Sequence, residues 1–289
     1  MTNLTPPPAP SSDPRIPAAA VRPPRRRATT AITTAAIIVG ALSLAATGGG
    51  AAVAATGQIS GSTTAASTTV DAAGARALTL DASAGAVTIR FADVTKATLR
   101  TEGVRGADWT LDRSGDTLRV RSADAPFGWW LGSWFSDGPR IALTLPRALQ
   151  GALDADLTLD AGSLDARGDF RALTTTMSAG SLSVDASADS LTTRVDAGSA
   201  NLRVRDAATA DLQMSAGRIT ATLTGSAPDS VRLDVSAGSL DLTLPSGAYA
   251  LTKDVSAGSL DTRIPTDPSS SHRIQADLSA GSITLRSGD

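Results

Sequence analysis

The chain has no cysteine, one histidine (His272) and two lysines (Lys96 and Lys253) among 289 residues. The lack of cysteine excludes disulfides, thiolate nucleophiles and thiolate metal sites. No Ser–His–Asp triad can be assembled around the lone His272, which follows Ser269, Ser270 and Ser271 in a proline-flanked loop and is expected at the surface. Aromatic residues make up 3% of the chain, so a core must be built from Leu, Val, Ile and Ala. Charge of either sign barely predominates, with 26 basic and 28 acidic side chains, but it is unevenly placed. Residues 1–30 carry Arg15, Arg22, Arg25, Arg26 and Arg27 against Asp13, and the remainder is weakly acidic. An acidic main domain has no electrostatic reason to hold nucleic acid, and no nucleic-acid partner is expected.

What is present divides the chain into four parts. Residues 1–27 form a Pro/Arg-rich tail, expected to be disordered and cytoplasmic, because proline blocks both helix interiors and sheet ladders. From Ala28 to Val70 there is no charged residue, and the most apolar part runs from Ala35 to Leu44. A helix over residues 28–46 would be about 28 Å long, close to the ~30 Å hydrocarbon thickness. Residues 28–56 are therefore expected to form a transmembrane signal anchor. Its arginine flank puts the N-terminus in the cytoplasm and the C-terminal domain outside. Ala52-Val53-Ala54 also fits a signal-peptidase site, but the long proline-rich leader before the apolar run favours the anchor over a cleaved peptide. A buried soluble helix is disfavoured, because the rest of the chain offers no helical partner. Residues 57–70 have the Gly/Ser/Thr composition of a flexible linker.

Residues 71–289 carry a repeat: alternating apolar residues, then Ser/Asp-Ala-Gly-Ser, then alternation again. Its glycines are Gly85, Gly162, Gly180, Gly198, Gly217, Gly238, Gly258 and Gly281, with spacings of 18 to 23 from Gly162 onward. The gap from Gly85 to Gly162 is 77 residues, close to four such periods. The apolar phase changes parity at every glycine: Leu233 and Val235 precede Gly238, and Leu240, Leu242 and Leu244 follow it. In a straight strand that slip would turn the second half inside out, so the chain must bend at each glycine. The expected fold is all-β: a single-stranded β-helix, or solenoid, with ~18–23-residue coils. In it two strands meet at a glycine corner, a third, looser side closes the coil, and a corner alanine lets the chain pinch the core. Coils should stack in parallel about 4.8 Å apart. Loops at 224–230, 245–250 and 265–272 absorb the variable spacing.

Residues 92–150 are less regular. Arg113–Val120 reads as a turn entering a strand, and Arg140–Pro146 as a strand ended by proline. The strand Ser-Gly-Asp-Thr-Leu-Arg-Val at 114–120, the strand Ile-Ala-Leu-Thr-Leu-Pro at 141–146 and the serial Ser-Ala-Gly-Ser-Leu copies resemble the bacterial β-strand-repeat family of unknown function labelled putative adhesin. The resemblance covers residues 71–289. It implies a β-helical fold and attachment to the cell envelope, and it transfers no catalytic residue.

Between those two strands lies an aromatic loop with Phe127, Trp129, Trp130, Trp134 and Phe135. Exposed Trp can stack on sugars or sit at a membrane interface, so these five residues are the leading binding candidates. The alternative is that they cover the open end of the solenoid. The stacked Ser and Asp beside each glycine (Asp160, Ser163, Ser178, Ser181, Asp196, Ser236, Ser239, Ser256, Ser279) could form ladders for calcium or glycans. The Gly-Gly-x-Gly-x-Asp calcium repeat is absent, which favours solvated corner ladders instead. Asp154, Asp156 and Asp160 could serve a polysaccharide lyase or hydrolase, but alternation places them on the wet face of one strand. The reading adopted is a non-enzymatic, membrane-anchored envelope module for adhesion, scaffolding or envelope sensing. It needs no metal and no cofactor, and its partner would be a cell-wall glycan or another envelope protein. The rival readings are a carbohydrate-active enzyme on a β-helix and a subunit of a stress-signalling membrane complex.

Overall fold

The computed structural model describes residues 65–103, 109–122 and 139–288. The tail 1–27 and the expected anchor 28–56 lie outside these residues, as does the aromatic loop with Phe127, Trp129, Trp130, Trp134 and Phe135. Contacts divide the chain into residues 1–52 and 53–289, and only the second unit is described below. Among the described residues no helix is long and apolar enough to cross a membrane. They form an all-β protein whose strands join one open sheet.

Six strands build the parallel part: β2 (Ala77–Ala92), β7 (Asp154–Arg205), β8 (Thr209–Thr224), β9 (Ser230–Leu244), β12 (Arg273–Ser287) and the short pair β10 (Ala250–Val255) and β11 (Ser259–Arg263) taken together. β7 is 52 residues long and would extend about 170 Å if straight. Instead it runs back over itself. Its start pairs with β2, Leu80 opposite Leu157, and its end pairs with β8, Val195 opposite Met214. Between them Gly162, Gly180 and Gly198 lie one above another.

The expected parity change at each glycine is present. Met177 before Gly180 and Leu182 after it are both buried, although five residues apart in a period-2 pattern. Gly180 has φ +133°, and a Cβ built there would overlap the Gly162 carbonyl oxygen far inside 3.0 Å. Only glycine permits both that angle and that approach. The corner alanines do not behave as expected. Ala179, Ala197, Ala216, Ala237, Ala257 and Ala280 are exposed, because the bend carries the Ala-Gly step outside the core.

The third side is also not loose within β7. Residues 167–176 and 185–190 are strand, and the buried set changes parity a second time there. It passes from Ala186 and Ala188 to Leu191, Thr193 and Val195. Each pass of β7 therefore bends twice, and the passes share one continuous buried lining of mainly Leu, Val, Ile, Met and Ala. Thr175 and Thr193, two of the few buried polar residues, hydrogen-bond each other at 3.0 Å.

Gly162 stacks directly on Gly85, so the 77-residue spacing does not hold four further passes. The described strands between residues 96 and 146 lie at one end of the stack. β5 (Thr117–Ser122) and β6 (Arg140–Pro146) pair in parallel with the two halves of β2. β4 (Trp109–Ser114) then adds antiparallel to β5. β3 (Lys96–Glu102) adds antiparallel to β6, and β1 (Ala66–Asp71) adds outside β3. β1 takes up the last residues of the expected linker. The two outer strands touch, and Arg113 donates to the carbonyls of Asp71 and Gly115, which holds β1 to the β4–β5 turn.

At the other end the order is inverted. Gly281 stacks on Gly238, and Gly258 stacks on Gly281, so β12 lies between β9 and the earlier pair β10–β11. The side chains explain the inversion. Lys253 falls in register with Ala276, Leu233 and Leu212, and Thr262 with Leu285 and Leu242. Between two apolar layers Lys253 would be a buried charge without a partner, a cost of several kcal/mol. The wholly apolar lining of β12 (Ile274, Ala276, Leu278, Ile283, Leu285) tolerates a layer on each side. The loops carry the crossing. Tyr249 is fully buried, donates its hydroxyl to the Pro245 carbonyl at 2.8 Å, and bridges to Thr266.

Candidate functional site: polar ladders beside the glycine corner

Because the passes stack in register, every outward position becomes a column. Directly after the glycines run Ser163, Ser181, Ser199, Arg218, Ser239, Ser282 and Ser259. Two residues further on run Asp165, Ser183, Asn201, Thr220, Asp241, Thr284 and Asp261. Before the glycines Asp196 lies beside Ser215, whose hydroxyl points to its carboxylate at 3.5 Å. The expected ladders of Ser and Asp are therefore present on the outer face, flanking the corner.

The columns after the corner enclose a groove of about 540 Å³ over four passes, with Ser163, Ser181, Ser199 and Arg218 on one side and Asp165, Asn201 and Thr220 on the other. Its floor is the rims of Leu164, Leu182 and Ala200. The groove exists because Ser and Asn are small where other outward columns carry Arg. Its hydroxyls repeat at the strand spacing of about 4.8 Å. Asp165 is held by Arg167 in a two-point ion pair of 2.9 and 3.0 Å. That contact raises the Arg167 pKa, first through the hydrogen bond to Asp165 and then through its charge. Arg218 has no side-chain partner among the described residues, so the groove ends in a free guanidinium with five donors.

The expected carboxylate set does not assemble into a catalytic pair. Asp154, Asp156 and Asp160 share the outer face of β7, as alternation requires. Asp154 is bound by Arg171 of the next pass, and the other two are exposed. Among the described residues no group of three or more His, Asp or Glu side chains is placed to hold a metal ion. His272 is half-buried in the loops rather than at the surface, with Nδ1 2.9 Å from the Pro228 carbonyl and its ring 6.0 Å from that of Tyr249.

Sequence reasoning singled out the serines and overlooked Arg218 and Asn201. The available signal was the departure itself. Gly217 is followed by Arg where most copies have Ser, and a large charged side chain in a column of small ones is placed to be used or to be excluded from packing.

The fold defines an all-β protein with an open, largely parallel sheet. No family model and no curated protein matches the chain. Among solved structures it is similar to one named a putative cell adhesion protein from Clostridium sporogenes ATCC 15579, at 10% identity over 78% of this chain and 100% of that one, with a TM-score of 0.35. It is also similar to a putative adhesin from Bacteroides fragilis NCTC 9343, at 14% identity over 78% and 97%, with a TM-score of 0.43. At such identities and TM-scores the functional reading rests on this chain's own geometry.

Proposed function

We infer that the chain is a non-enzymatic envelope adhesion or scaffold module: a single-stranded β-solenoid of the β-strand-repeat type, anchored by residues 28–56 and displayed outside the cytoplasm. The observation that carries this reading is the groove at Ser163–Arg218. Its hydroxyls recur pass after pass, with the Asn201 amide beside them, which suits an extended, polyhydroxylated chain lying across the strands. The unpaired Arg218 suits a carboxylate on that chain. Such a surface gains affinity by adding equivalent contacts, and it needs no reacting group. A cell-wall glycan fits this description, and the aromatic loop with Trp129, Trp130 and Trp134 would add stacking contacts.

The test uses the full chain in detergent micelles, titrated calorimetrically with a soluble carboxylated cell-wall polysaccharide. Saturable binding is expected, and Arg218→Ser should weaken it about fivefold, the ~1 kcal/mol of an exposed ion pair. Because the chain has no native cysteine, Ser12→Cys and Ser287→Cys report topology in intact cells through an impermeant maleimide. Labelling at residue 287 alone is expected. Labelling at 12, or turnover of the polysaccharide, would overturn the reading.

A further inference from the structure

The two ends of the strand stack differ in kind. One carries the antiparallel strands β3, β4 and β1, which cover the lining there, so that Ala97, Leu99 and Leu111 are buried. The other ends on β10 and β11, whose outer edges have no partner strand among the described residues. Behind that edge the lining is incompletely covered: Val255 is 37% exposed, and Leu251 and Leu260 are half-buried. An uncovered edge of a parallel stack with apolar positions inside it invites a second copy.

Lys253 stands in the way. It occupies a lining column in which Ala276, Leu233, Leu212, Thr193 and Leu157 are all buried. Its side chain borders a hollow of about 300 Å³ at the open end, with Leu251, Thr262, Thr266 and Pro268. Among the described residues Lys253 has no ion-pair or hydrogen-bond partner. A second copy docking on this end would bury two ammonium groups facing each other over an apolar lining.

We propose that Lys253 is an inward-facing guard that keeps the β10–β11 end from pairing with the same end of a second copy. The partner it excludes is this chain itself. Because like end would meet like end, the excluded assembly is a tail-to-tail dimer with two-fold symmetry rather than a fibre. The proposal is independent of the adhesion reading, since it concerns a different face and a different partner.

The test compares wild type with Lys253→Val, Lys253→Met and Lys253→Arg in the full chain in detergent, by light scattering corrected for bound detergent. The Val and Met variants should double the protein mass relative to wild type as concentration rises, and the Arg variant should keep the wild-type mass. Thr252→Cys, labelled with pyrene on this end strand, places the contact. Excimer emission should appear with Lys253→Val and be absent with Lys253 in place. Wild-type mass in both the Val and Met variants overturns the proposal, as does equal excimer emission with Lys253 present. The circular-dichroism melting midpoint of each variant shows that it is folded.

Discussion

Replacing Gly180 by alanine separates two costs that the corner combines. One is backbone conformation: φ is +133°, which a side chain resists at about 1–3 kcal/mol. The other is space, because the new Cβ would overlap the Gly162 carbonyl and push apart two hydrogen-bonded passes, about 1–3 kcal/mol of overpacking. Together they come to about 2–6 kcal/mol. Gly115 is the internal control. It sits in the β4–β5 turn at φ +66°, with nothing within 4 Å of a Cβ, so Gly115→Ala should cost only the left-handed penalty of about 1–2 kcal/mol. Both variants lose the same backbone freedom in the unfolded chain, so that contribution cancels in the comparison. Urea unfolding followed by far-UV circular dichroism at 25 °C measures each. Gly180→Ala should be less stable than Gly115→Ala by about 2.5 kcal/mol, the difference between the midpoints of the two ranges. Equal losses would mean that the stacked carbonyl imposes nothing, and the account of the corner would be wrong.

Thr193→Val strands the Thr175 hydroxyl in the core and should cost about 1–3 kcal/mol, whereas the double variant Thr175→Val/Thr193→Val should recover most of it; a double variant worse than the sum of the singles would refute the pairing. Burial raises the Tyr249 pKa above its ordinary 10.0, so its contribution is full below that pH and is lost as the unfolded chain ionises above it. Stability measured across that range should fall less steeply in Tyr249→Phe than in wild type.

The class of fold was legible because a strand has one signature that no other element shares. Period-2 alternation with a parity slip at each glycine allows only a chain that bends there, and Leu78, Leu80, Val87 and Ile89 are buried on both sides of the Gly85 corner accordingly. Strand ends at Thr117, Arg140 and Pro146 were likewise visible, since Gly-Asp and proline act locally. Ladders followed from the repeat, because equal spacing places like residues in like positions.

Which pass lies next to which was a different matter, because neighbours in a stack are chosen by what each layer can tolerate above and below it. Nothing local at Gly258 reveals that β12 slips inside it. The outcome depends on Lys253 facing a lining that is uncharged in every other pass, an energy that exists only once the layers meet. The same holds for residues 92–150, whose length suggested more passes and of whose described strands β3 and β4 instead turn antiparallel to cover an end. Alanine at the corner was misplaced for a related reason: its apolar character suggests burial, but the bend direction decides where it points. Periodicity along the chain thus determined the strand, the corner and the inward face, while contact between distant passes decided their order, their ends and the groove that Arg218 closes.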